Sequence, residues 1–168
     1  VLERVDKIHV GNGLEAGIEM GPLLSQKQLD SVDAFVSDAV SKGARILHGG
    51  KRLTGGTFDK GLFYAPTVLD RIQANMRLTC EEVFGPVMPI IPFDSEEEAI
   101  SIANDTPYGL SNYVQSMDGE KRNRVASRLR SGMVEMNGKP RGAGSPFGGV
   151  KASGRAREGG VWGIEEFL

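Results

Sequence analysis

The chain has 168 residues and few thiols or imidazoles: one cysteine, Cys80, and two histidines, His9 and His48. A single thiol excludes an internal disulfide and fits a reducing compartment. No group of His, Cys, Asp and Glu has metal-ligand spacing, so no metal is expected. Long apolar runs are also lacking. The longest, Val87 to Phe93, is interrupted by Pro89 and Pro92, and falls far short of the roughly 20 residues that span a bilayer. The N-terminus shows no basic stretch leading into an apolar one. A signal peptide is therefore not expected, and the cytoplasm is the default location. The formal net charge of −2 provides no general attraction to nucleic acid or to acidic membranes, and neither is expected as a partner.

What is present is the balance of a globular protein, 39% hydrophobic and 25% charged residues, which argues against disorder. No repeat, low-complexity linker or heptad pattern is visible, so one domain is the simplest division. Glycine is in excess at 23 residues, about twice the usual ~7%. The chain starts at Val1 within an amphipathic stretch. The expectation is a piece cut from a longer chain, with apolar surface left where the rest would lie.

Three segments read as helices. The first spans Ser25 to about Lys42. Ser25-x-x-Gln28 forms a capping box, Leu29, Val32, Phe35, Val36, Ala39 and Val40 recur at three- and four-residue spacing, and Gly43 supplies a left-handed cap. The second starts at Ser95, where Ser95-x-x-Glu98 repeats the capping box and Glu96, Glu97 and Glu98 favour the helix dipole. The third follows Asp118 and runs to about Ser131, with Gly132 as its stop. Strands are expected at Ala44–His48, Tyr64–Leu69, Val87–Phe93, Leu110–Gln115 and Met133–Asn137. Helices alternating with buried strands indicate an α/β domain with a largely parallel sheet flanked by helices. Residues 138–154, rich in Gly, Pro, Ser, Lys and Arg, read as a long ordered loop of the kind that carries function.

Cys80 invites a reading as nucleophile with Glu81 and Glu82 as bases. Adjacent carboxylates disfavour the thiolate, whereas a reactive cysteine needs a positive environment. Glu81 and Glu82 are neighbours, so in an extended segment they point in opposite directions and are not an acid–base dyad. One can face solvent while the other reaches a ligand, and a carboxylate accepting two hydrogen bonds suits a ribose diol. Two solvated glutamates are the plainer alternative. The loop Arg141–Gly149 lacks both the G-x-G-x-x-G and P-loop spacings. Its glycines read as backbone geometry, with positive φ or close approach. The run from Lys121 to Arg130 places five basic residues in ten, and reads as a solvated helix surface because interleaved aromatics are absent.

The order of several motifs along the chain is more specific than any one of them. Gly11-Asn12, Gly21-Pro22-Leu23, Tyr64-Ala65-Pro66-Thr67, Glu81-Glu82-Val83-Phe84-Gly85-Pro86, Ala103 to Leu110, and Pro146-Phe147-Gly148-Gly149 with Lys151, Ser153 and Gly154 resemble the aldehyde dehydrogenase superfamily. The likeness covers nearly the whole chain. It implies the later part of a catalytic domain, an α/β unit on a twisted sheet, with the first dinucleotide-binding half upstream. It also implies NAD or NADP as cofactor and a small aldehyde as substrate, oxidised to a carboxylic acid through a cysteine thiohemiacetal and thioester. By the same resemblance Glu82 binds the nicotinamide ribose, Phe84 packs beside the nicotinamide and Phe147 lines the aldehyde pocket. Glu158 matches a glutamate proposed to relay a proton in some members, against the alternative of a structural ion pair.

The family's nucleophile motif lies shortly upstream of Gly11, and Val1–Val10 does not contain it. The family also continues beyond Phe167-Leu168 into a strand that pairs with a neighbouring subunit. A full-length homodimer or homotetramer is implied, and a catalytically inactive isolated chain is expected. Two other classes remain open from sequence: a natural non-catalytic truncation acting as an interaction module, and a hydrolase built on Cys80.

Overall fold

The computed structural model describes all residues from Val1 to Leu168. It divides the chain into two compact units, Val1–Pro92 and Phe93–Leu168. The boundary falls inside the apolar run Val87–Phe93. Of that run only Val87–Pro89 is strand, since a proline has no N–H to give to a sheet ladder. No compositional linker marks the division, which explains why one domain was the simpler expectation.

In the first unit, α1 (Leu2–Val5) is a single turn, followed by the long helix α2 (Gln26–Ser41). The Ser25 hydroxyl accepts the Gln28 N–H at 3.2 Å. The return half of the capping box is displaced by one residue, because the Gln28 side-chain oxygen accepts from Leu24 N–H at 3.2 Å and not from Ser25. At the other end Gly43 adopts φ 100°. Its N–H reaches Val40 O at 3.0 Å while Ala44 N–H reaches Ala39 O at 2.9 Å, a Schellman closure that satisfies the last carbonyls.

Three strands follow: β1 (Arg45–His48), β2 (Thr67–Asp70) and β3 (Val87–Pro89). They form one sheet in the order β1-β2-β3, with β1 antiparallel and β3 parallel to the central β2. Thr67, Val68 and Leu69 are all buried. Successive strand residues face opposite sides, so β2 is covered on both faces. Leu69 joins Leu29, Val32, Phe35, Val36 and Ala39 of α2 in the core cluster. The Tyr64 hydroxyl donates to Asp33 Oδ1 at 3.2 Å, and burial pushes its ionisation above the ordinary tyrosine range.

In the second unit, α3 (Glu96–Asn104), β4 (Ser111–Val114), α4 (Gly119–Ala126) and β5 (Met133–Met136) precede a long loop and α5 (Gly160–Glu165). β4 and β5 are parallel and joined through α4, a βαβ unit. The capping at Ser95 follows the displaced pattern of α2, with Ser95 Oγ accepting Glu98 N–H at 3.1 Å and Glu98 accepting Asp94 N–H at 2.7 Å.

The α/β class stands, and the strands are parallel in two pairs and antiparallel in one. The single largely parallel sheet becomes two small sheets, of three and two strands. The third helix is also shorter than expected. Asn104 explains its early end: its amide nitrogen donates to Arg128 O at 3.0 Å and its oxygen accepts Arg130 N–H at 2.7 Å. Those backbone groups are thereby drawn out of the helical ladder. Gly132 is not the helix stop; a Cβ there would collide with the Gly148 carbonyl, so the position requires close backbone approach. The basic run is more than solvated surface, because Arg124 pairs with Glu96 at 2.8 Å and Arg128 with Glu97 at 2.5 Å. No helix is long and apolar enough to cross a membrane.

Candidate functional site

The segment from Arg77 to Pro86 in the first unit leaves the side chains of Cys80, Glu82 and Phe84 without structural work. Arg77 to Thr79 form one 3-10 turn. The Arg77 guanidinium lies 4.5 Å above the Phe35 ring of α2, and its backbone N–H donates to Asp38 Oδ2 at 3.0 Å. From that fixed position it holds Glu81 with two hydrogen bonds of 2.9 and 3.0 Å. The hydrogen bonds from Arg77 hold the Glu81 carboxyl below its ordinary range. Glu82 is exposed, and its carboxylate has no ion pair or hydrogen bond within the chain. One glutamate is thus taken up by the fold and the other is left free.

Two residues further, Phe84 is 73% exposed. Its side chain is free, but its backbone is not. The carbonyl oxygen accepts from Gln28 Nε2 at 2.6 Å, and Gly85 lies so close to α2 that a Cβ would strike Val32. Pro86 O then accepts Thr67 N–H at 2.8 Å at the start of the parallel pairing with β2. Phe84, Gly85 and Pro86 share a concavity of about 450 Å³ with Glu19 to Leu23, Gln28 and Tyr64. Gln28 and Arg77 were missed as loop anchors from sequence. Gln28 read only as a cap, although a side-chain amide that accepts once still has a donor to place.

In the second unit the structure brings Phe147 and Glu158 together. Their backbones form an antiparallel bridge with reciprocal hydrogen bonds of 2.7 Å. Phe147 is half-buried, with the Arg141 guanidinium 5.0 Å from its ring centre. Glu158 is exposed and its carboxylate has no partner within the chain, so the ion-pair alternative finds no support here. Arg157 instead donates to the carbonyls of Gly149, Arg155 and Ala156.

The motif residues around this bridge are scaffold. Lys151, at φ 56°, donates to the carbonyls of Asn104 and Thr106 at 2.9 and 3.1 Å. Ser153 Oγ accepts Gly109 N–H at 3.0 Å. Gly148 and Gly149 are buried, and a Cβ on Gly148 would meet the Ala156 carbonyl. Gly144 has φ 78°. The loop glycines therefore serve backbone geometry, as their spacing indicated.

Cys80 closes the 3-10 turn beside Glu81 and is exposed. Its sulfur lies 3.5 Å from Thr79 Oγ1. Neither histidine serves it: His48 engages Pro66 O and Asp6, and His9 pairs with Glu19. The guanidinium three residues before it, that of Arg77, is already bidentate on Glu81. Nothing in this arrangement activates the thiol as a nucleophile.

The profile of the aldehyde dehydrogenase family matches residues 1–168. The chain is 46% identical over 162 residues to the mitochondrial succinate-semialdehyde dehydrogenase of Rattus norvegicus, covering 96% of this chain and 30% of that protein. Among solved structures, an aldehyde dehydrogenase from Bartonella henselae superposes with a TM-score of 0.94 at 46% identity, covering 99% of this chain and 35% of that one. Betaine aldehyde dehydrogenase from Staphylococcus aureus, solved in complex with NAD+, gives 0.93 at 44% identity, covering 99% and 33%. The chain spans about a third of the length of these relatives. With its whole length matched by the family profile and its backbone superposing on that of solved members, the chain belongs to the aldehyde dehydrogenase family.

Proposed function

We propose that this chain forms the nicotinamide-ribose contact and part of the aldehyde pocket of an NAD(P)-dependent aldehyde dehydrogenase longer than itself. The observation that carries the reading is the division between two adjacent glutamates. Glu81 is clamped by Arg77, whereas Glu82 is unpaired beside an exposed Phe84 on a loop whose backbone is pinned. An ionised carboxylate is an acceptor with two oxygens, which matches a ribose diol. An exposed aromatic face matches the flat ring carried by that ribose. The residues present thus fit the nicotinamide end of the cofactor, and the betaine aldehyde dehydrogenase relative solved with NAD+ supports NAD as that cofactor.

When bound, the cofactor supplies the hydride acceptor that aldehyde oxidation requires. In this reading Glu82 holds the ribose, Phe84 limits the position of the ring, and Phe147 forms a wall for a small aldehyde. The free Glu158 carboxylate, bridged through its backbone to Phe147, takes a proton from water during hydrolysis of the acyl intermediate. The nucleophilic thiol comes from elsewhere in the protein, because Cys80 has no activating partner. A lone reduced thiol supports a cytoplasmic setting. The exposed apolar side chains of α5, Val161, Trp162 and Ile164, support a homodimer or homotetramer.

The test is steady-state kinetics of the full-length enzyme with Glu82→Gln. Loss of charge-assisted hydrogen bonds worth about 1.5–3 kcal/mol raises KM for NAD+ at least tenfold, while KM for the aldehyde changes less than about twofold. Unchanged cofactor kinetics would refute the assignment. The isolated 168-residue chain should produce no NADH from any aldehyde, and measurable turnover would overturn the exclusion of Cys80.

A further inference from the structure

The loop that presents Glu82 and Phe84 has almost no hydrogen bonding of its own. The backbone N–H groups of Glu82, Val83, Phe84 and Gly85 donate to nothing within the chain. Such a segment holds one shape only if other groups impose it. The groups that do so sit along one stripe of α2. Gln28 binds the Phe84 carbonyl. Val32 lies against Gly85. Phe35 supports the Arg77 guanidinium that grips Glu81, and Asp38 holds the Arg77 backbone. Positions 28, 32, 35 and 38 are separated by four, three and three residues, the spacing of one helical face.

Within that stripe Gln28 makes the only direct side-chain hydrogen bond to the loop backbone between Glu82 and Gly85. Both ends of its amide are in use. The oxygen accepts from Leu24 N–H at 3.2 Å and the nitrogen donates to Phe84 O at 2.6 Å. Ser25 meanwhile binds the Gln28 backbone N–H, so the residue is fixed at the helix start before it reaches the loop. We propose that Gln28 is a positioning residue for the cofactor: by fixing the Phe84 peptide it sets where the Phe84 ring and the Glu82 carboxylate stand. This rests on the reading of the loop as cofactor-facing.

The competing role for Gln28 is that of a helix cap and nothing more. Gln28→Glu separates the two. It keeps the side-chain length and the acceptor for Leu24 N–H. The first turn of α2 contains no acidic residue, so a carboxylate there is favoured by the helix N-terminus. What it loses is the donor, placing a carboxylate oxygen against the Phe84 carbonyl. A cap alone therefore predicts a variant that is equally or more stable and kinetically silent. Gln28→Met, of similar volume and without charge, removes the hydrogen bonds and controls for the added charge of the first variant.

The experiment compares wild type, Gln28→Glu, Gln28→Met and Glu82→Gln in the full-length enzyme by thermal unfolding and by KM for NAD+ and for aldehyde. Gln28→Glu should unfold at or above the wild-type temperature. Because displacements near 1 Å weaken positioned contacts severely, both Gln28 variants should raise KM for NAD+ about five- to tenfold and leave KM for aldehyde within about twofold. If Gln28→Met does not fold, Gln28→Glu decides. Wild-type KM for NAD+ in the Gln28 variants that fold, alongside a raised value in Glu82→Gln, overturns the positioning role and leaves the cofactor assignment standing. A wild-type value in Glu82→Gln as well overturns both.

Discussion

Gly85→Ala probes the contact between the loop carrying Glu82 and Phe84 and α2. Val32, which a Cβ at position 85 would strike, is 1% exposed and lies within the main core cluster. A β-branched side chain in a helix has one strongly preferred rotamer, so Val32 cannot turn aside and the loop must move. Overpacking of this kind costs about 1–3 kcal/mol. The unit Val1–Pro92, at about 0.05–0.15 kcal/mol per residue, holds roughly 5–14 kcal/mol in total. A loss of ~2 kcal/mol should lower its unfolding temperature by about 8–16 °C. Val32→Ala alone removes two buried methyl groups and costs about 1.5–3 kcal/mol. In the double variant the struck methyl is gone, so Gly85→Ala should add nothing to the cost of Val32→Ala. Urea unfolding of the four proteins by circular dichroism should then give a coupling of about −1 to −3 kcal/mol. Gly13→Ala serves as the control, since a Cβ there meets nothing within 4 Å. Additivity within about 0.5 kcal/mol would refute the contact.

The doubly covered strand β2 makes Leu69→Ala costly, about 3–5 kcal/mol by urea unfolding, whereas Leu24→Ala, at a residue 93% exposed, should stay within about 0.5 kcal/mol. Tyr64 should be the last of the three tyrosines to titrate by ultraviolet absorbance. Its folded ionisation is raised chiefly by burial and then by Asp33. The associated stability is present below the ordinary tyrosine pKa of about 10 and is lost as pH rises through the folded value. On the acid side, Asp38, Asp70, Glu81, Glu96 and Glu97 are held below their usual range. The leading causes are the Arg77 backbone N–H for Asp38 and the side chains of Arg45, Arg77, Arg124 and Arg128 for the others, in that order. Their contribution is present above about pH 4.5 and fades as pH falls through the lowered values. Unfolding followed from pH 6 to pH 2 should show this loss reduced in about 1 M salt, because the pairs are exposed.

The helices were legible because their signals are local. Ser25, Ser95 and Asp118 each cap through a side-chain oxygen to a backbone N–H three residues on, and Gly43 closes α2 where a left-handed residue was needed. What sequence pattern did not show depends on distant partners. Asn104 ends α4 from 24 residues away, and no local signal reports that. The antiparallel pairing of β1 with β2 is set by how the segment between them folds back, not by the period of either strand. α5 contains Gly160 and Gly163, and glycine inside a helix weakens the local preference. The site was half legible. That the two glutamates differ in role was argued for an extended segment, whereas Glu81 closes a turn on Arg77 O, and which glutamate Arg77 takes depends on Phe35 and Asp38 of another element.

The same accounting shows why motif residues differ in what they can mean. Asn104, Lys151, Ser153, Gly132 and Gly148 belong to the motifs or their surroundings, and each is fully engaged by the fold, so a change there acts first on structure. Glu82, Phe84 and Glu158 are motif residues with side chains that the fold does not use. An exposed phenylalanine on a pinned loop gains nothing for stability, which makes contact with another molecule the economical explanation. Cys80 is also unused, so being free of structural work is necessary but not sufficient. The distinction is chemical. A free carboxylate is a competent acceptor as it stands, whereas a thiol beside carboxylates, with both histidines and Arg77 engaged elsewhere, lacks the group that would make it a nucleophile. Changing that environment is the direct check: Glu81→Gln removes the adjacent carboxylate and releases Arg77 from its pair, and labelling of Cys80 by iodoacetamide near neutral pH should become faster than in the wild type. An unchanged rate would show that something other than the Arg77–Glu81 pair keeps the thiol inert.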